Sequence, residues 1–370
     1  MIGLITINDN NNYGNRLQNY ACYYLLSKYD KTFNIVRRYG CEFRDFGVNH
    51  RFFIVRKLKR LYRFLCEMVC FNKYTKNRIK LFNFKKFNKL IKNGETLKYN
   101  FDYNKINKKY DYFFVGSDQV WNPTFSGNGM FINMLGFCDD SNKKNSISAS
   151  ISIETLSAHQ KSEFTKYLSS FNKISCRELQ GSALIKNLIN KEVYTLIDPT
   201  LMLDSTEWDK VSCEPKNFYS LKKYLFVFVL GETTEQYATI IDYIRNRYNL
   251  EVVNVLDINS RFYTCGPSEF IYLIKKSSFV LTDSYHCTIF SYIYNKPFRV
   301  LQRVGKGLNM NSRLSSLFEL LKIHNNHFVN IENYKKISLE LNYDKKDLIN
   351  EQNKFYDFLD SVLGAPKDGN

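Results

Sequence analysis

The sequence predicts an α/β protein made of two units, each a mostly parallel sheet covered by helices, with a cleft between them. Three observations lead there. Short runs of β-branched and aromatic residues alternate with segments of helical period along most of the chain. The alternation breaks once, over a polar stretch from Ser212 to Lys223 that holds Pro215, and then restarts. A length of 370 residues also exceeds one ordinary domain. The boundary is therefore placed between an N-terminal domain, 1–211, and a C-terminal domain, 212–370, that ends in a helix. The first carries a basic helical insertion at 51–92.

The elements follow in order. Ile2–Asn8 reads as a strand, Asn15–Lys28 as a helix and Thr32–Val36 as a second strand. After the insertion, Tyr112–Val115 and Asn145–Ile151 are strand-like, and Ser157–Phe171 is a helix with Ser157 at its cap. A further helix covers Arg177–Asn190, and Asp198-Pro199-Thr200 breaks the pattern. The second half gives strand Tyr224–Leu230, helix Thr234–Tyr248, strand Glu251–Leu256 and helix Pro267–Lys276. Strand Phe279–Thr282, a helix from His286 and strand Pro297–Leu301 complete it.

Composition narrows the class. Hydrophobic content of 44% and aromatic content of 16% support real cores and exclude a wholly disordered chain. Nine scattered cysteines, without a Cys-x-x-Cys pair or a histidine cluster, read as reduced thiols, with no zinc site and no disulfide framework. The start runs straight into a strand rather than a secretory signal, and the most apolar run, Tyr224–Leu230, is too short to span a bilayer. A cytoplasmic protein, soluble or peripheral, is expected.

The net charge of +17 is uneven: between Arg51 and Lys92, fourteen basic residues face only Glu67. Apolar residues recur there at helical spacing, among them Leu58, Leu61, Leu65, Ile79, Phe82, Phe87, Leu90 and Ile91. Two basic amphipathic helices result. Their basic side is either a solvated face or a peripheral contact with an anionic membrane. Nucleic acid is not expected, because the aromatics fall on the buried stripe and no nucleic-acid motif is present.

Three loops, each at the carboxyl end of a predicted strand, gather polar groups where open α/β folds place their ligands. The first ends in Gly14, Asn15, Arg16, Leu17 and Gln18, where the glycine permits a tight turn and the helix start offers free N–H groups. The second follows Tyr112–Val115 and carries Ser117, Asp118, Gln119 and Trp121 before Asn122-Pro123. Trp121 suits either a ligand-facing role or a core anchor. The third is Asp283-Ser284-Tyr285-His286, where the imidazole beside Asp283 at a strand-to-helix turn is an acid–base candidate.

Taken together, Tyr13–Gln18, Val115–Asn122, Ile174–Glu178, Asp198–Thr200, Gly266–Phe270, Thr282–His286 and Asn311–Arg313 resemble the polysaccharide pyruvyl transferase family. The match runs from about residue 3 to beyond residue 320. The resemblance implies two Rossmann-like domains in a GT-B-like arrangement. It also implies transfer of the enolpyruvyl carbons of phosphoenolpyruvate, as co-substrate, onto a sugar as a ketal with release of phosphate. No cofactor or metal is called for. The acceptor would be a sugar or a lipid-linked oligosaccharide of the cell envelope.

That chemistry needs an acid for the methylene carbon, a base for the sugar hydroxyl and donors for carboxylate and phosphate. The resemblance makes His286 the donor-site acid or phosphate partner, with Asp283 as its neighbour. Asp118 is the candidate base. Gly14, Asn15, Gln18, Ser117, Gln119 and Trp121 are expected to bind the sugar, Trp121 by stacking. Ser284, Tyr285 and Arg313 fall to the donor, Arg313 by holding its carboxylate bidentately. One departure stands out: well-studied family members carry Arg-x-His where this chain has Ser284-Tyr285-His286. Arg313, Arg303 or Lys306 would have to replace that arginine. Two other functions fit the same fold: a GT-B glycosyltransferase using a nucleotide sugar, and a catalytically silent carbohydrate-binding subunit.

Overall fold

A computed structural model describes residues 1–37, 71–97, 101–126, 130–216, 218–219, 222–304, 310–323, 327–339 and 345–366. The Arg51–Cys70 half of the basic insertion and Lys306 lie outside the described residues.

Two five-stranded sheets form the protein, and every strand pairing in them is parallel. The first contains β1 (Ile2–Ile5), β2 (Thr32–Arg37), β3 (Asn93–Leu97), β4 (Tyr112–Val115) and β5 (Lys144–Ser146), in the order β3-β2-β1-β4-β5. A small pair, β6 (Ser175–Cys176) and β7 (Tyr194–Thr195), extends this unit beside β5. The second sheet contains β8 (Tyr224–Phe228), β9 (Glu251–Asn254), β10 (Phe279–Thr282), β11 (Phe298–Leu301) and β12 (Phe328–Val329), in the order β12-β11-β10-β8-β9. Both are Rossmann-like, and their tandem arrangement is the predicted GT-B-like one. The strand order reverses between β1 and β4 in one sheet and between β8 and β10 in the other. Those are the crevices where doubly wound sheets bind ligands.

Local chemistry explains the loops at these edges. Gly116 ends β4 with φ of +137°, and a Cβ there would lie 2.1 Å from the Ile147 carbonyl oxygen, so only glycine fits. Asp118 is left-handed at φ 57°, which turns the chain abruptly after the strand. The predicted strand Asn145–Ile151 stops early, at Ser146, because Ser148 and Ser152 also have positive φ. Its remainder still joins loop to sheet: the Ile147 N–H donates to Val115 O at 2.9 Å and the Ser150 N–H to Asp118 O at 2.9 Å.

One apolar core runs through both units. Tyr13, at the start of helix Tyr13–Ser27, stacks on Phe270 of the second unit with centroids 4.7 Å apart, touches Phe84 and Phe228, and donates its hydroxyl to Cys265 O at 2.7 Å. The terminal helix Lys346–Leu363 crosses back onto the first unit. There Phe355 and Phe358 are buried, Gln352 donates to Leu201 O at 2.7 Å, and Asp360 accepts from the Tyr29 hydroxyl at 2.6 Å.

The described part of the insertion is a single helix, Phe71–Asn88, and its stripe is not buried as expected. Phe84, Phe87 and Ile91 pack inward, but Phe82 is 67% exposed and Ile79 and Leu90 are exposed too. The reason is that the helix turns polar side chains toward the second unit. Lys76 donates to Ile258 O, Lys80 to Val255 O and Asn83 to Thr264 O, satisfying carbonyls beyond the end of β9. Desolvation lowers the Lys80 ammonium to about 8.

Candidate functional site

The loops of the two units meet around one carboxylate, Asp198, which the sequence marks as a break in the pattern and as part of a resembling run but not as a site residue. Asp198 Oδ2 is 2.7 Å from Arg177 Nη1, 3.1 Å from Ser117 Oγ and 3.6 Å from His286 Nε2, while Oδ1 accepts from the Thr200 N–H and hydroxyl. One oxygen thus gathers the β4 loop, the β6 strand end and the second unit's histidine. Burial alone would raise the Asp198 pKa, but His286, Arg177 and Thr200 hold it well below the usual carboxylate range. Arg177 also reaches Glu178 Oε1 at 3.2 Å, and its guanidinium lies 4.2 Å from the ring centroid of Tyr285. Burial works against its charge, yet Tyr285, Glu178 and Asp198 raise its pKa above the ordinary value.

The cluster opens outward through Asp118. Its side chain is 13% exposed, against 9% for His286, 2% for Arg313 and 0% for Asp198. Asn15 Nδ2 donates to Asp118 Oδ2 at 3.1 Å, and Arg313 Nη1 lies 4.0 Å from Oδ1. With its amide oxygen turned to the guanidinium, Gln119 accepts from Arg313 at 2.9 and 3.0 Å. Desolvation opposes the charge of Asp118, but His286, Arg177 and Arg313 lower its pKa below the ordinary value. Burial beside Arg177 brings Arg313 down to about 10.

Gly14 and His286 are in direct opposition across the junction. A Cβ on Gly14 would sit 2.2 Å from His286 Nδ1, so the missing side chain is what lets the imidazole close onto the first helix. Tyr285 stands edge-on to His286 with centroids 5.4 Å apart. Ser284 caps the helix Tyr285–Ile293 by accepting from the Cys287 N–H.

Three expected roles change. Trp121 is fully buried, donates its indole N–H to Asn133 O at 2.9 Å and packs edge-on to Phe171, so it is a core anchor and cannot stack on a sugar. Asp283 does not pair with His286. Its carboxylate is taken by Arg303 at 2.9 Å and by the Leu230 and Gly231 N–H groups at 2.8 Å each, which locks β10 to the loop after β8. Gln18 is also fully buried; it donates to Thr6 Oγ1 and accepts from the Ser117 N–H, pinning the β4 loop rather than facing a ligand. The geometry therefore assembles Gly14, Asn15, Ser117, Asp118, Gln119, Tyr285, His286 and Arg313. It adds Arg177, Glu178 and Asp198, for which the available signal was the Ile174–Glu178 and Asp198–Thr200 runs.

A junction of this kind can set the charge of Arg177 and Arg313 against a bound anion, and it offers Asp118, the most exposed of these groups, for proton transfer. Comparison with known proteins agrees with the sequence reading at the family level. The model of the family described as polysaccharide pyruvyl transferase matches residues 12–303. A search of curated proteins finds no match. Among solved structures, the UDP-GlcNAc 2-epimerase from Neisseria meningitidis bound to UDP-GlcNAc is 12% identical, covering 99% of this chain and 100% of that chain with a TM-score of 0.47. S. aureus MnaA with UDP is 12% identical, over 100% and 99% of the two chains, at a TM-score of 0.45. The Methanocaldococcus jannaschii UDP-GlcNAc 2-epimerase in complex with UDP-GlcNAc and UDP is 10% identical, over 98% and 100%, at 0.40. Similarity this low carries no argument about substrate.

Proposed function

The chain belongs to the polysaccharide pyruvyl transferase family, and from that premise we propose that it transfers the pyruvyl group of phosphoenolpyruvate, as a ketal, to a sugar of a cell-surface polysaccharide or its lipid-linked precursor. In this reading residues 1–211 hold the acceptor and residues 212–370 the donor. The observation that supports it best is that His286 and Arg177 both approach Asp198 Oδ2 at the junction of the two units, within electrostatic reach of Asp118.

Each group then has a task. His286 gives a proton to the methylene carbon of phosphoenolpyruvate, leaving C2 electrophilic. A sugar hydroxyl forms the first C–O bond to C2 as its proton passes to Asp118. The C–O bond to phosphate breaks, a second hydroxyl of the same sugar forms the second C–O bond, and its proton leaves with the phosphate. Donor plus diol thus gives ketal plus phosphate, with no water consumed. Arg177 and Arg313 supply the positive field for the donor's carboxylate and phosphate. Arg303 is committed to Asp283, which leaves Arg313, together with Lys306 outside the described residues, to replace the arginine absent at Ser284.

Release of phosphate from phosphoenolpyruvate, measured with a polysaccharide or lipid-linked acceptor, tests the assignment. His286→Ala should lower turnover by roughly 10²–10⁴-fold. Undiminished activity in that variant, or turnover that requires a nucleotide sugar instead, would sink it.

A further inference from the structure

A second polar site lies on the other side of the same helix start. Between the carboxyl ends of β1 and β2, the start of β3 and the end of helix Phe71–Asn88 is a cleft of about 400 Å³, within the size range of small-ligand sites. Six asparagines line it, Asn8, Asn10, Asn19, Asn34, Asn88 and Asn93, together with Arg16. Asparagine is common in this chain, so their number alone distinguishes nothing. Their hydrogen bonding does. Asn8 Oδ1 is shared by Arg16 at 3.5 Å and by the amide groups of Asn19 and Asn34 at 3.2 Å each, while Asn34 also donates to Asn93. Asn19 Oδ1, Asn34 Oδ1, Asn88 Oδ1 and Arg16 Nε are buried without a hydrogen-bond partner among the described residues. Asn19, Asn34 and Arg16 are themselves 0%, 1% and 3% exposed. Unmet polar atoms are costly inside a fold, and here four of them gather on side chains around one cleft. The β2–β3 register also shifts between Asn34 and Val36, a ladder irregularity of the kind found beside binding sites.

We propose that this cleft is the subsite for one neutral sugar ring of the acceptor, a role that rests on the transferase reading above. Hydroxyl groups both donate and accept, and so do primary amides, whereas a phosphate or carboxylate offers acceptors only. Among the described residues the cleft lining holds no acidic side chain and one cation, Arg16, whose guanidinium is already engaged by Ile7 O and by Asn15 Oδ1 at 2.7 and 2.6 Å. The cleft is also wired to the junction. Arg16 Nη2 donates to Asn15 Oδ1, and Asn15 Nδ2 donates to Asp118 Oδ2 at 3.1 Å, so a ring seated here is linked to the candidate base through one guanidinium and one amide.

Saturation-transfer NMR on the full chain, without donor, tests the proposal with the methyl glycosides of glucose, galactose, mannose and N-acetylglucosamine as probes. At least one should receive saturation, and Asn34→Ala and the rim variant Asn88→Ala should each weaken it tenfold or more while circular dichroism shows both folded. His286→Ala should bind the same glycoside as wild type. No transfer to any of the four, equal binding by both asparagine variants, or displacement of the glycoside by millimolar inorganic phosphate would overturn the proposal. Glycoside binding that depends on Asn34, in a protein that releases no phosphate from phosphoenolpyruvate, would uphold the subsite and remove the transferase reading instead.

Discussion

At the junction, the Asp198 carboxylate is met by Arg177, Ser117, Thr200 and His286. In the cleft on the far side of Arg16, three asparagine oxygens and one guanidinium nitrogen have no hydrogen-bond partner among the described residues. Both regions are built from buried polar residues on neighbouring strand ends, and both leave polar atoms unmet among the described residues, Arg177 Nη2, Glu178 Oε2 and His286 Nε2 at the junction included. They differ in charge, ionic at the junction and mostly neutral amide in the cleft. A charge taken out of water must be paired to be tolerated, so the junction is ionic and tightly knit. A neutral amide left short of partners is a smaller liability and remains available to exchange its bonds with a visitor. Burial of polar groups thus serves two ends here: fixing reactive groups in place, and keeping a surface ready for hydroxyls.

The sharpest way to break this comparison is to remove the cation that holds the junction. Arg177→Met leaves Asp198 and Glu178 buried without it and should cost about 3–5 kcal/mol of stability by chemical denaturation. Asn34→Ala in the cleft should cost about 1 kcal/mol or less by the same assay. Comparable losses would mean the two regions do not differ as described. The next effect is steric. An alanine for a glycine in a helix ordinarily gains up to about 1 kcal/mol. Gly14→Ala should reverse that sign, costing about 1–3 kcal/mol as the imidazole of His286 is displaced, and phosphate release should fall with it. A stabilised, fully active variant would show that His286 does not need this approach.

The smallest effect is the pH response. Asp198 and Asp118 have folded pKa values below their ordinary ones, so their contribution to stability is complete above the unfolded value of about 3.9. It is lost as pH falls below that toward the folded values. Melting temperature followed from pH 6 to pH 3 should drop at the acid end in wild type. Asn34→Ala should trace a parallel curve, because amides do not titrate in this range. A flat wild-type profile would say that the carboxylates contribute nothing by their ionisation.

The sequence made the strand ends readable because period and turn chemistry are local. The β4 loop and the Asp283–His286 turn were visible as polar residues after apolar runs, and both lie where expected. What stayed hidden depends on partners far away in the chain. Trp121 has the same identity whether it stacks on a ligand or anchors a core, and only its 0% exposure decides. Asp283 looks like a partner for His286 three residues on, until Arg303, twenty residues away, claims it. Asp198 reads as a break in the pattern, and locally it is the N-cap of a short 3-10 helix, Pro199–Met202, accepting from the Thr200 N–H. β3 was not read as a strand at all, because Asn93–Leu97 lacks apolar alternation and borrows its pairing from β2. The cleft asparagines come from positions as distant as 8 and 93, so no spacing rule could have assembled them.

The first turns of helix Tyr13–Ser27 carry one further consequence. Tyr13 enters the core of the second unit, Gly14 faces the imidazole, Asn15 holds Asp118, Arg16 and Asn19 line the cleft, and Gln18 pins the β4 loop. Each step along a helix turns it by about 100°, so these six allegiances are indexed to one another like teeth on a gear. A substitution disturbs one tooth. A single inserted or deleted residue between Tyr13 and Asn19 would turn the remainder out of mesh and take core, junction and cleft together. Length variation therefore does not belong in this helix, nor in residues 8–12 before it, where Asn8 and Asn10 line the cleft and Asn12 caps the helix.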